Sequence, residues 1–93
     1  MPQVVDTIQD MLNERGSRYG KFSKHADITQ RIKEAMYDSP NWHKLKPNQK
    51  EALEMTAHKI GRILNGDPNY LDSWEDIVGY IQLVVKFLKG EDI

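Results

Sequence analysis

Residues 47–90, PNQKEALEMTAHKIGRILNGDPNYLDSWEDIVGYIQLVVKFLKG, decide the fold because they hold two helical patterns separated by a short turn. The first pattern begins at Pro47, which suits the first position of a helix because its missing N–H needs no partner there. Apolar residues then recur every three or four positions as far as Leu64 or Asn65. Gly66 predicts a left-handed helix end, and the proline two residues later prevents the helix from resuming. The short turn predicts that the two helices pack antiparallel.

The second pattern predicts a helix that begins at Asp72, where Glu75 completes a variant capping box, and that ends at Gly90. This helix is apolar on almost two sides, whereas a surface helix needs only one apolar side. We therefore expect it to be either the central helix of the bundle or buried again in a subunit interface, and we favour a homo-oligomer. The broad apolar face comprises Trp74, Ile77, Val78, Ile81, Val84, Val85 and Leu88, and the second strip comprises Tyr80, Leu83 and Phe87.

An amphipathic helix is also predicted at the start of the chain. Its apolar residues recur at helical spacing, and Gly16 is expected to stop it, so that residues 17–20 form a loop. The apolar positions of this helix are Val4, Val5, Ile8, Met11 and Leu12.

The remaining helix is expected from about Lys24 to Tyr37. The stretch DSPNWHKLKPNQ after it contains two prolines and two asparagines, so the segment from Asp38 to Lys46 is expected to connect this helix to the next. No segment alternates apolar and polar residues for long enough to predict a strand. The sequence therefore predicts an all-α fold: a small four-helix bundle-like domain over residues 1–93, assembled as a homo-oligomer.

Composition narrows the classes of function. The 93 residues are 39% hydrophobic and 29% charged, which is typical of one globular domain. Thirteen basic against fourteen acidic residues leave a net charge of −1, so duplex nucleic acid is not an expected partner. The chain has no cysteine, which excludes disulfides and thiolate zinc sites and fits a cytoplasmic location. No apolar run is long enough to span a bilayer, so no membrane partner is expected.

Carboxylates on the last two helices are candidate metal ligands. Glu51 and Glu54 lie one helical turn apart, where two carboxylates could bind a divalent cation. Asp76 lies on the second apolar strip, and a carboxylate there needs a metal, a cation or several donors. Alternatively, the glutamates belong to a solvated helix face, and Asp76 forms a structural ion pair or is exposed. Antiparallel packing of the two helices would place Asp76 level with residues 59–62 rather than with Glu51, which counts against a shared metal site. The candidate ion-pair partners of Asp76 are Lys59, Arg62 and Arg18.

The turn before the last helix contains side chains that suit a nucleotide base. Tyr70 and Trp74 could stack on a base, and Asn65 or Asn69 could bind its edge. The alternative makes Trp74 a core anchor, the asparagines turn residues and Tyr70 a cover over the hydrophobic end of the bundle. The sequence favours the core for Trp74 and leaves Tyr70 and Asn69 open.

Residues 14–25, ERGSRYGKFSKH, form a locally basic segment in a nearly neutral chain. Cations interleaved with Tyr19 and Phe22 suit a phosphate or another anionic ligand. The segment lacks the defined spacing of a glycine-rich phosphate loop, so solvated side chains are the alternative. The potential cations are Arg15, Arg18, Lys21, Lys24 and His25.

The stretches ERGSRYGKFSKHADITQRIKEAM, SPNWHKL and QKEALEMTAHKIGRILNGDPNYLDSWEDIVGYIQLV resemble a small, phage-encoded, all-helical family whose function is not established. The resemblance covers nearly the whole chain, from about Ile8 to Leu88. More remotely, the pair Glu51-x-x-Glu54 and the later Asp-rich helix start are similar to the MazG-like all-α nucleoside triphosphate pyrophosphohydrolases. Those enzymes bind magnesium through carboxylates on two helices, release pyrophosphate from nucleotides and usually work as oligomers.

This resemblance implies that Glu51, Glu54 and Asp76 bind Mg²⁺, although Ser73 stands where the remote family has a further glutamate. It also implies that the ligand is a nucleotide or a nucleotide-derived small molecule, with cationic side chains at its phosphates and aromatic side chains beside its base. The predicted ligand-binding residues are Arg18, Tyr19, Lys59, Arg62, Asn69, Tyr70, Trp74 and Tyr80.

Three functions are open at this point. One is magnesium-dependent nucleotide hydrolysis, in which the metal activates a water and offsets phosphate charge. Another is sequestration of a nucleotide signal without catalysis, which would serve a phage against host defence. The third is docking of the last helix on a host protein through its surplus apolar surface.

Overall fold

A computed structural model describes residues 4–93 of the chain, with side chains from residue 7 onward, so the side chains of the predicted apolar positions Val4 and Val5 lie outside the described part. Within that range the chain forms four α-helices, one short 3₁₀ turn and no strand, which confirms the predicted all-α, bundle-like fold. The homo-oligomer stays a prediction. The elements are α1 (Val4–Tyr19), α2 (Phe22–Tyr37), the 3₁₀ turn (Trp42–Lys44), α3 (Pro47–Asn65) and α4 (Leu71–Leu88).

The end of α1 differs from the prediction. The helix continues through Gly16 and ends at Tyr19, so the expected loop over residues 17–20 is wrong. Gly20 instead turns the chain, with a φ of +76° and its N–H donating to the carbonyl of Gly16 at 2.9 Å. A positive φ strains any residue with a Cβ, so the second glycine is the one that the turn requires. α2 then starts at Phe22, two residues before the predicted start.

The end of α3 falls at Asn65 as predicted, but Gly66 is not left-handed, since its φ is −122°. This glycine is required by a close approach between segments. A Cβ at Gly66 would overlap the carbonyl oxygen of Arg18 and the backbone of Tyr19. The next residue, Asp67, donates its backbone N–H to the same Arg18 carbonyl at 2.6 Å. The turn between α3 and α4 is thereby held against the end of α1.

The start of α4 also differs from the prediction, because the helix begins at Leu71 and Tyr70 at its N-cap makes no side-chain capping bond. The expected capping box from Asp72 to Glu75 is therefore wrong. The Asp72 carboxylate instead accepts a hydrogen bond from the Tyr70 hydroxyl at 3.0 Å. The predicted closure at Gly90 is confirmed by its φ of +89° and its N–H bond to the carbonyl of Phe87.

The central helix is α3, which packs against α1, α2 and α4. Gly61 lets α2 approach closely, because a Cβ there would overlap the Thr29 hydroxyl and lie 2.9 Å from the His25 ring. α4 lies on one side of α3 and is not the central helix. The expectation that α4 is the central helix is therefore wrong, and the expectation of a subunit interface stays a prediction.

The buried apolar core is small. Its members among the described residues are Trp42, Ala52, Ala57 and Ile63. The interpretation of Trp74 as a core anchor is wrong, since this side chain is 51% exposed and its indole N–H donates to the carbonyl of Pro68 at 2.8 Å. No described helix is long and apolar enough to cross a membrane.

Candidate functional site

A cavity of about 310 Å³ opens where the end of α1 and the start of α2 meet the middle of α3. We call it the corner pocket. It combines residues that are distant in sequence, because α3 supplies the wall opposite the α1–α2 turn. Its lining residues are Leu12, Arg15, Gly16, Tyr19, Gly20, Lys21, Phe22, His25, His58 and Arg62.

Asn65 at the end of α3 holds the α1–α2 turn in place. Its side-chain amide donates to the carbonyl of Tyr19 at 2.8 Å and to that of Lys21 at 3.0 Å. Gly20 lies between these two carbonyls, and a Cβ there would lie 2.7 Å from the Asn65 amide nitrogen. The turn that lines the pocket therefore depends on a contact that only the folded chain makes.

The pocket is positively charged at neutral pH. Arg15, Lys21 and Arg62 line it, and over residues 7–93 no aspartate or glutamate is among its lining residues. These three cations make no ion pair within the described part of the chain. The Arg62 guanidinium lies 4.1 Å from the centre of the Tyr19 ring, and its Nε is buried without a hydrogen-bond partner. Cations without counter-ions beside aromatic rings suit an anionic aromatic ligand.

Two histidines form the floor of the pocket, with ring centres 4.6 Å apart. The buried His25 has its Nε2 3.1 Å from the carbonyl oxygen of His58, and Nε2 carries the proton because a carbonyl only accepts. Burial, followed by the nearby Arg62 guanidinium, lowers the pKa of His58 to about 4. The same two causes lower the pKa of His25. Both rings are therefore neutral at neutral pH, and the charge of the pocket comes from its arginines and lysine.

The start of α2 forms one rim of the pocket. Lys21 is its N-cap, no side chain caps the helix, and its first turn contains no acidic residue. The first N–H groups and the positive end of the helix dipole are thus free of a protein anion. Phe22, the first residue of the helix, is 78% exposed and packs edge-on against the His25 ring. This rim offers an anion-attracting helix end next to an open aromatic face.

Two predicted ligand-binding residues, Arg18 and Tyr70, lie beside the corner pocket but contact each other rather than the cavity. The Arg18 guanidinium donates to the Tyr70 hydroxyl at 3.0 Å and lies 4.8 Å from the centre of its ring. Arg18 also pairs with Glu14 at 2.6 Å. The Tyr70 ring packs edge-on against Tyr19 at 6.0 Å. The pair therefore supports the pocket wall from outside.

The three predicted metal ligands face different neighbours. Asp76 pairs with Lys59 at 2.8 Å, which agrees with the structural alternative for this carboxylate. Glu54 faces α2, where the Lys33 ammonium is 4.0 Å away. Glu51 lines a separate groove with Tyr80 and the end of the chain. Over residues 7–93, no three acidic or histidine side chains gather closely enough to hold a metal ion.

Of the other predicted ligand residues, Tyr19 and Arg62 come together in the corner pocket. Asn69 lies in the exposed α3–α4 turn, where its backbone N–H donates to the Asp67 carboxylate at 2.9 Å. Trp74 and Tyr80 lie on α4, which contributes nothing to the pocket lining.

Sequence reasoning missed one of the two histidines in the floor of the pocket, His58. The basic segment pointed to Arg15, Lys21, Phe22 and His25, but nothing in the local pattern indicated that His58 of α3 faces them. The available signal was the spacing of four between His58 and Arg62, which places both on one side of α3.

Comparison with protein-family models, curated proteins and solved structures finds no match to this chain. The resemblance to a phage-encoded family and to the MazG-like enzymes therefore stays a prediction. The function has to be argued from the chemistry of the site.

Proposed function

We propose that the protein binds a nucleotide or a nucleotide-derived small molecule in the corner pocket. The observation that carries the proposal is a cavity to which the described residues contribute three unpaired cations and two aromatic rings but no carboxylate, in a chain of net charge −1. Its volume of about 310 Å³ falls at the lower end of the range for small-molecule sites. A ligand with a compact anionic group and a flat ring matches this lining.

The lining suggests how such a ligand is oriented. A phosphate group suits Arg15, Lys21 and the uncapped start of α2, because all three attract negative charge. A base suits the exposed ring of Phe22, since a flat aromatic surface binds any base by stacking. Neutral His25 and His58 then offer hydrogen-bonding nitrogens and ring faces without adding charge. The proposed ligand fits the cytoplasm, which the absence of cysteine also favours.

The arrangement favours binding without hydrolysis. In the MazG-like resemblance, Glu51, Glu54 and Asp76 would share a magnesium ion, but as described above these side chains face different neighbours and do not fit one ion. They also lie outside the lining of the corner pocket. We therefore derive no metal-dependent step and propose that the chain sequesters its ligand unchanged, as an anti-defence protein of a phage would do.

The test is calorimetric titration of the native chain with ribo- and deoxyribonucleoside mono-, di- and triphosphates and with cyclic nucleotides, all in EDTA. At least one of them should bind and should raise the melting temperature, because a ligand of the folded state stabilises it by mass action. Lys21→Gln should weaken that binding by about tenfold or more, since one charge-assisted contact is worth roughly 1.5 kcal/mol or above.

Lys44→Gln is the matched control, because Lys44 is also exposed but lies in the 3₁₀ turn away from the pocket. It should bind as the native chain does. The proposal fails if no nucleotide binds, or if the two variants weaken binding equally. After incubation with Mg²⁺, recovery of the intact ligand supports sequestration. Release of pyrophosphate that Asp76→Asn abolishes would support hydrolysis instead.

A further inference from the structure

Six apolar side chains form a stripe along the outer side of α4. They are separated by three, four, three, four and three positions, which is the heptad spacing of a coiled-coil contact. Every one of them is exposed, by 36% to 68%. We call this stripe the α4 seam. Its members are Leu71, Trp74, Val78, Ile81, Val85 and Leu88.

α3 does not cover the seam, because α4 packs on α3 through a different side. The residues on that packed side are buried or half-buried and comprise Ser73, Ile77, Tyr80, Val84 and Phe87. At 100° per residue, the packed side lies about 110° around the helix from the seam. A chain with a small core gains stability when it buries further apolar surface against another protein. The exposed heptad seam is the surface that such an association would bury.

Charge along one flank of the seam identifies the occupant. This flank points away from α3 and is acidic where the helix starts, at Asp72 and Glu75. It is basic where the helix ends, at Lys89, which makes no ion pair within the described residues, and at Lys86, whose ammonium lies 3.3 Å from the Glu91 carboxylate. Two copies of α4 in antiparallel orientation therefore place each acidic start beside the basic end of the other copy. In a parallel pair this flank of one copy would lie on the opposite side of the contact from the same flank of the other copy, so these charges would not meet. The helix dipoles favour the same antiparallel orientation.

We propose that the α4 seam pairs antiparallel with the α4 seam of a second copy of this chain. The spacing of the seam suits this register, because its members then meet as complete layers: Leu71 with Leu88, Trp74 with Val85, and Val78 with Ile81. The inference does not depend on nucleotide binding, since no residue of α4 lines the corner pocket.

Sedimentation analysis of the native chain tests the association. The expected species is a dimer. Ile81→Lys should weaken dimerisation by about 100-fold or more, because it puts two like charges near the middle of the apolar contact. Leu83→Lys is the matched control, since Leu83 is 50% exposed on the same helix but lies off the seam. A monomeric native chain, or equal effects of the two substitutions, would overturn the proposal. Circular dichroism checks that both variants keep their helices.

Cross-linking tests the orientation, and the native chain is suited to it because it has no cysteine. Leu71→Cys and Leu88→Cys are prepared as separate proteins and oxidised alone and as a mixture. The antiparallel pair predicts disulfide-linked dimers in the mixture and none in either sample alone. Links within a single-variant sample would indicate a parallel pair and overturn the proposal, as would a mixture that stays unlinked.

Discussion

Acidification should destabilise the protein through the histidine floor of the corner pocket. Burial and the Arg62 guanidinium lower the pKa of His58 from 6.5 to about 4, so between these values the unfolded chain takes up a proton that the folded chain excludes. The free energy of unfolding is therefore highest above about pH 7.5 and falls as the pH drops from about 6.5 towards 4. At about pH 5, which is 1.5 units below the pKa of His58 in the unfolded chain, the free energy of unfolding falls by about 2 kcal/mol at most. Partial exposure of the His58 ring reduces this fall to about 1 kcal/mol.

Urea unfolding at about pH 7.5 and pH 5 measures this loss and avoids the range in which ordinary carboxyl groups titrate. His58→Asn should remove most of the difference between the two values of pH, while the lowered pKa of His25 maintains a smaller loss in the same direction. His43→Asn is the control, because His43 is exposed in the 3₁₀ turn. The reasoning is refuted if His58→Asn shows the full native loss, or if the native chain is more stable at pH 5.

Four further predictions concern stability and can be checked by the same unfolding measurements. Gly61→Ala should cost about 1–3 kcal/mol because its methyl group overlaps a buried threonine hydroxyl of α2. Gly79→Ala, with nothing within 4 Å of the new methyl, should instead stabilise α4 by about 1 kcal/mol. Asn65→Ala should cost about 1–3 kcal/mol through its two lost bonds to the α1–α2 turn, whereas the exposed Asn69→Ala should stay within about 0.5 kcal/mol. Asp76→Asn should cost about 1–2 kcal/mol, since its carboxylate is 47% exposed but the Lys59 side chain, only 12% exposed, loses its anion; a loss within about 0.5 kcal/mol would contradict a partly buried ion pair.

Helix type and several helix ends were predictable because the interactions that decide them act within a turn or two. Pro47 starts α3 and Gly90 closes α4 through backbone preferences of those residues and their neighbours. The choice between Gly16 and Gly20 was not predictable in this way. Both suit a helix end locally, and the contact of Gly20 with Asn65, far along the chain, selects the second.

The candidate site was predictable only in part. The basic segment identified the α1 and α2 side of the corner pocket, and two predicted ligand-binding residues, Tyr19 and Arg62, line it. The predicted metal ligands face separate neighbours instead, and the predicted Trp74 and Tyr80 lie on α4, outside the pocket. The pairing of Asp76 with Lys59 follows from antiparallel packing, because turn-proximal ends of neighbouring helices meet. The position of His58 against His25 depends on the distance between α2 and α3, and no local sequence pattern determines that distance.

By itself, the sequence determined that this chain is all-helical, where most of its helices lie, and that α4 has more apolar surface than one neighbour can cover. These properties follow from residue spacing and backbone preference, which are local. Only the tertiary structure decided that α3 is central, that α4 leaves its seam exposed, and that Arg62 and His58 complete a pocket begun by the α1–α2 turn. Those outcomes depend on which faces approach each other, and that is decided by close contacts between distant residues such as Gly61 with Thr29 and Gly66 with Tyr19.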